Sequence, residues 1–393
     1  MLRLYIYNFR VAEIMTLTIC KPFGWNYQRN RMEATKGIEF FLYRVVSTSI
    51  CCIAFFISFR LVKALWFESV DVIGVLIAII YASLLTTSGG LMWEICRKQG
   101  EFSAFINGVL GFDKILKRVF PEAYIHAMET QQHKFSRYNH LILFSLIASI
   151  TCNWGLMFFF FEKWDPVHRG LVEYLGLHPE WNLMFIPIGV AEAWYGYIIG
   201  HTVSIFIFGL VLYLTTELWL TSLAYGMDRY DGRRSGIDKH MMGRAHLRFY
   251  RCHQVLANIC YGITASVLIT VHHVCLLIFH IVATYLVLTP EIGVTTTVSV
   301  LTACGIPVAY VITYNEVVFL ARFGEASANF LGKCRLHYGT SRYLRRGFKS
   351  CRPIHIESGY PFFCIKHKKW FAIYAKIIVE MVINLKLSLR KMY

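Results

Sequence analysis

The sequence predicts an all-α integral membrane protein of seven transmembrane helices, with its amino terminus inside the cell and its carboxy terminus outside. Three observations carry this expectation. Of 393 residues, 56% are hydrophobic and only 16% are charged, and the mean hydropathy is +0.47, which is too apolar for a soluble chain of this length. Seven apolar runs are long enough to cross a bilayer. Lys and Arg alternate in abundance between the segments that join those runs.

The runs are Val45 to Trp66, Val72 to Trp93, Tyr138 to Phe161, Tyr195 to Leu220, Asn258 to Leu288, Thr295 to Ala321 and Trp370 to Leu387; the last is the least apolar. Lys plus Arg number 7 before the first run, then 0, 7, 2, 7, 0 and 11 in successive loops, and 2 after the last. The first segment and the even-numbered loops are therefore expected in the cytoplasm. Arg60 and Lys63 lie in the outer third of the first run, from which long basic side chains reach the interface. The net charge of +16 is thus an orientation signal, and no nucleic-acid partner is expected. Basic residues interrupt the apolar pieces of the first 44 positions, so no removable signal peptide is expected there. None of the 12 cysteines falls in an outer loop, and disulfides are not expected. Two inner loops, 97–137 and 221–257, are polar. Stretches such as RAHLRFYRCHQVLANICYGI, Arg244 to Ile263, keep helical spacing into the next run, so they are expected to continue the spans as cytoplasmic helices.

Some motifs point elsewhere and fail on position. Asp228, Arg229 and Tyr230 spell the ionic-lock triplet of rhodopsin-like G-protein-coupled receptors. Here the triplet follows the fourth span rather than the third, and the expected reading is a solvated cytoplasmic loop. His272, His273 and His280 fall in the fifth run. Adjacent histidines point about 100° apart on a helix and do not share one ion easily, so no metal site is expected. They read either as neutral histidines bonded inside the bundle or, for His273, as a polar contact in a ligand cavity. No phosphate loop, nucleophile elbow or pair of carboxylates is found, so neither an enzyme nor a cofactor is expected.

Aromatic residues crowd the outer half: Trp154, Phe158 to Phe161, Trp181, Trp194, Tyr195 and Tyr197. They read as interfacial belt or core. The other reading is a cavity open to the outside and lined by Tyr81, Asn153, Trp154, Tyr197 and His201, mostly apolar with a few polar groups, as small-molecule pockets are.

The segment SCRPIHIESGYPFFCI, Ser350 to Ile365, resembles the signature region of the arthropod gustatory and odorant receptor superfamily, more gustatory than odorant in kind. In that family an Arg-rich stretch leads to R-P-L-x-I, a Gly and a Phe-Phe pair before the terminal helix; Arg352, Pro353, Ile354, Ile356, Gly359, Phe362 and Phe363 stand at those positions here. The resemblance implies a seven-span subunit of a tetrameric, non-selective cation channel in the plasma membrane of sensory neurons, opened directly by a small-molecule tastant or odorant. It also implies a division into residues 1–44, a cytoplasmic segment; 45–320, a six-helix ligand-binding and anchoring bundle; 321–369, a cytoplasmic connector; and 370–393, a pore helix with a short outer tail. The partners implied are the ligand, cations, membrane lipid and sister subunits, identical or not.

The family's terminal motif, Thr-Tyr, five apolar residues, then Gln-Phe, is not matched. Anchoring on Tyr374 places Glu380 and Met381 at Gln-Phe; anchoring on Gly359 places Asn384 and Leu385 there. Both registers keep one stripe, Ile377, Met381, Asn384 and Ser388, toward a lumen, with Ile377 and Met381 as the hydrophobic gate. Lys376 and Glu380 flank that stripe. They read as a self-neutralising i,i+4 pair, or else Glu380 turns inward as an acidic ring that attracts cations. The competing function is a G-protein-coupled receptor. A small-solute transporter would need paired broken spans and an internal repeat, which the sequence lacks.

Overall fold

A computed structural model of the chain describes residues 20–67, 72–130, 216–230, 236–264, 266–289, 296–354, 357–358, 363–364 and 369–390, with scattered positions between 187 and 199. The described residues are predominantly helical. A hairpin of β1 (Phe23–Asn26) and β2 (Arg31–Ala34) comes first, then α1 (Ile38–Phe67), α2 (Val72–Arg97) and α3 (Gln99–Val119). Residues 121–130 are also helical. Then follow α4 (Thr216–Tyr230), α5 (Gly236–Thr264), α6 (Ser266–Leu288), α7 (Thr296–His337) and α8 (Arg342–Ser350), a two-residue hairpin of β3 (Glu357–Ser358) and β4 (Phe363–Cys364), and α9 (Lys369–Arg390). Stretches of α1, α2 and α6, Ile38–Lys63, Val72–Arg97 and Val271–Leu288, are long and apolar enough to cross a membrane. The third expected span, residues 138–161, and much of the fourth lie outside the described residues.

Two features differ from the sequence expectation. The all-α expectation did not include the β1–β2 hairpin. It forms because Asn26 Oδ1 accepts the Arg29 amide at 3.0 Å, while Asn30 takes the left-handed turn conformation, φ 46°, that Asn tolerates. Buried Phe23, Trp25 and Met32 hold it on α3, where Phe23 stacks on Phe102 with 4.9 Å between ring centroids. Asn107 of α3 binds the Met32 backbone at both ends, accepting its amide at 2.9 Å and donating to its carbonyl at 2.8 Å. The Asp228-Arg229-Tyr230 backbone closes α4 as helix rather than lying in a loop. Helices α1 and α7 run unbroken across residues 44 and 320.

Among the described residues, the two inner loops expected to continue as helices, 97–137 and 221–257, hold α3 and residues 121–130 in the first and the end of α4 with most of α5 in the second. The apolar faces of these helices, with those of α7 and α8, build one core that includes Leu247, Tyr250, Phe323, Phe330 and Phe348. A second cluster joins α2 to α6 through Ile77, Ile80, Val282 and Leu286, and Tyr81, Ile306 and Leu385 pack against it. Among the described residues ten cysteines are free, and no group of His, Cys, Asp and Glu is arranged to hold a metal ion.

Candidate functional site: the terminal helix and its attachments

Helix α9 docks on the bundle by a narrow face. Tyr374, Ile378 and Val382 are buried at i, i+4 and i+8 against Leu277 and Ile281 of α6 and Tyr310 of α7. At the centre of this contact the Tyr374 hydroxyl lies 2.8 Å from Nδ1 of His280, a residue of α6 with no exposed surface. The Tyr310 ring meets the same imidazole edge to face, with centroids 4.5 Å apart. A buried hydroxyl without a partner costs about 1–3 kcal/mol, so this bond fixes the rotation of α9 as well as its position.

That rotation sorts the other α9 residues. At about 100° per residue, Ile377, Met381, Asn384 and Ser388 point about 90° away from the docked face, and Lys376 and Glu380 point about 180° away. All six are exposed in the single chain. Lys376 Nζ and Glu380 Oε1 are 3.5 Å apart with side chains 74% and 57% exposed, so the pair is an open i,i+4 contact. Large apolar side chains share this exposure, Ile373, Val379, Ile383 and Leu387 each being more than half exposed. An isolated helix in water would not present them together.

The chain leading into α9 is pinned by its backbone. The Arg352 carbonyl accepts both the Tyr250 hydroxyl and Gln254 Nε2 at 2.9 Å. Ser327 Oγ of α7 accepts the Ile354 amide at 2.7 Å and lies 2.7 Å from the Tyr250 hydroxyl. These bonds close a relay between α5, α7 and residues 352–354, and burial pushes the Tyr250 phenol up to about 12. The Arg352 side chain itself is exposed and Pro353 is half-buried. Phe363 stands opposite Ser358 in the β3–β4 register. Gly359 and Phe362 lie outside the described residues, as does the side chain of Phe363.

The expected ligand-binding residues divide in the same way. Tyr81 is half-buried on α2 and His273 is buried on α6, 6% exposed. Asn153, Trp154, Tyr197 and His201 lie outside the described residues. A separate cavity of about 440 Å³ opens at the far end of the bundle, between residues 119–129, α4, the start of α5 and the end of α7. His126, Lys239, Glu122 and Glu129 line it, so its walls mix both signs of charge.

Two partnerships escaped the sequence reading. His280 was visible only as one of three histidines, because nothing local links it to a tyrosine 94 positions away. Tyr250, likewise, is one apolar-face residue among several until Arg352, 102 positions on, is seen beneath it. Compared with known proteins, the chain matches no family model and no curated protein.

Proposed function

We propose that the chain is a subunit of a tetrameric, cation-permeable channel of the arthropod chemoreceptor kind, with seven spans, a cytoplasmic amino terminus, and α9 lining a central pore in the plasma membrane of sensory neurons. A small-molecule tastant or odorant opens it. The observation that carries this reading is the way α9 is held. One face docks through Tyr374, Ile378 and Val382, leaving a second face, Ile377 to Ser388, and a third, Lys376 with Glu380, exposed in the single chain.

A helix near a four-fold axis needs such a division: one face for its own bundle, one for the lumen and one for a neighbour. A fully lipid-facing span would carry Lys376 and Glu380 at about 2.5–3.5 kcal/mol each on insertion scales. Ile377 and Met381 give the exposed stripe an apolar ring that closes by dewetting, and Asn384 and Ser388 give it polar rings beyond. Tyr81 and Leu385 pack against one cluster, which supports a route from an outer ligand cavity to α9.

The deciding experiment expresses the chain by itself and records membrane current during application of a tastant and odorant panel, with G-protein signalling blocked. Evoked current is expected to persist. Current that disappears under the block sinks the channel reading in favour of a G-protein-coupled receptor.

A further inference from the structure

A feature unrelated to the pore lies where α8 meets α5. Neither Lys239–Thr264 nor Ala326–Ile354 contains an Asp or Glu, although the two segments hold 4 and 7 Lys plus Arg. Scattered along exposed helix, these charges would satisfy the orientation rule and do nothing more. The packing instead gathers them. A Cβ at Gly347 would stand 2.5 Å from Leu247 Cδ2, and one at Gly243 would stand 2.5 Å from Leu344 Cδ1. Glycine at both points lets the helices approach closely, and one turn beyond Leu247 the chain presents Arg251.

Arg251, Arg342, Arg346, Tyr343 and Ser350 line the resulting cleft. The three arginines are exposed, and among the described residues no carboxylate pairs with any of them. Arg335 has a different task, donating to the Phe348 and Cys351 carbonyls at 3.2 and 2.9 Å to close the end of α8. A second anomaly points the same way. The first turn of α8 has no acidic residue and begins with Arg342, so cations stand at the helix end whose partial charge is already positive. A bound anion offsets both repulsions, and guanidinium forks match phosphate oxygens two at a time.

We propose that this cleft binds a ligand carrying two or more phosphate groups, held by Arg251, Arg342 and Arg346. The site stands on the α5–α8 contact alone and does not depend on the channel reading. The phosphates belong either to an inositol-lipid headgroup or to a soluble polyphosphate.

The test uses the full chain, purified in detergent, with radiolabelled inositol trisphosphate as probe. Saturable binding that weakens with added salt is expected for the unaltered protein. The double variant R251Q/R346Q is expected to bind about tenfold more weakly or worse, as is the single variant R342Q, while K36Q, which removes an exposed cation that does not line the cleft, binds like the parent. Matching size-exclusion profiles for all variants establish that the loss is local. Absence of saturable binding, or equal binding by the parent, R251Q/R346Q and R342Q, overturns the proposal. Nanodiscs of phosphatidylcholine with and without phosphatidylinositol bisphosphate then separate the sources. Exclusion of the probe only by the bisphosphate lipid identifies a membrane headgroup, equal probe binding in both identifies a soluble phosphate, and either result upholds the site.

Discussion

His253 lies on α5 with no exposed surface, its Nε2 3.1 Å from Thr216 Oγ1 and its ring stacked on Phe323. Burial holds the imidazole down at about 3, so it is neutral throughout the working range of the folded protein. In the unfolded chain the same ring takes a proton near its ordinary value of about 6.5. Between those values the unfolded state binds one more proton. The contribution to stability is therefore complete above about pH 6.5 and is lost as pH falls toward 3, by about 1.4 kcal/mol per pH unit. Thermal unfolding of the parent is expected to drop between about pH 7 and pH 5. H253Q is expected to flatten that drop even if its midpoint at pH 7 is lower. Parallel pH profiles would show that His253 is not the group responsible. A histidine of this kind cannot be told from an exposed one in sequence, since the rings of Phe112, Phe249 and Phe323 that enclose it come from three helices.

Helix α5 was legible because apolar residues recur every three or four positions along it, and α7 because its first part is a long apolar run, both signals carried by near neighbours. Their ends and contacts were less so. After α7 the chain turns through Gly339, where an added Cβ would stand 2.8 Å from the Arg335 carbonyl oxygen, a backbone atom with little freedom to move. Gly339→Ala is expected to cost about 1–3 kcal/mol. Gly111, inside α3, has nothing within 4 Å of the same position, and Gly111→Ala should stabilise by up to about 1 kcal/mol through helix propensity alone. Thermal midpoints moving in opposite directions in the two variants check the pair; a midpoint unchanged by Gly339→Ala would show that the turn opens without penalty. The β1–β2 hairpin was not legible at all. Its strands are only four residues long, and its support, Asn107, arrives from a helix 75 positions away.

On the scale of the whole molecule, the faces of α9 lead to a contrast. If the Ile377–Ser388 face meets a lumen and the Lys376–Glu380 face a neighbour, Met381→Ala should leave a basal leak or alter gating. Lys376→Ala should change chiefly surface expression or assembly. Whole-cell current normalised to surface protein separates the two, and equal losses of the stability type in both variants count against the pore assignment. An epitope tag placed after residue 393 is expected to be detected without permeabilisation; detection only after permeabilisation overturns the orientation, and the family resemblance with it.

By itself the sequence determined helical character, the lengths of the apolar runs and the distribution of basic residues. Those properties follow from short-range periodicity and from the cost of moving each side chain out of water, and neither requires knowing what packs against what. The tertiary structure alone decided which side of α9 is docked and which sides are left open. It likewise decided that arginines from α5 and α8 share one cleft. Each of these depends on a contact between residues far apart in the chain, the His280–Tyr374 bond and the close approach at Gly243 and Gly347. Such contacts are selected by shape and hydrogen bonding in three dimensions, which leave no periodic trace in either segment.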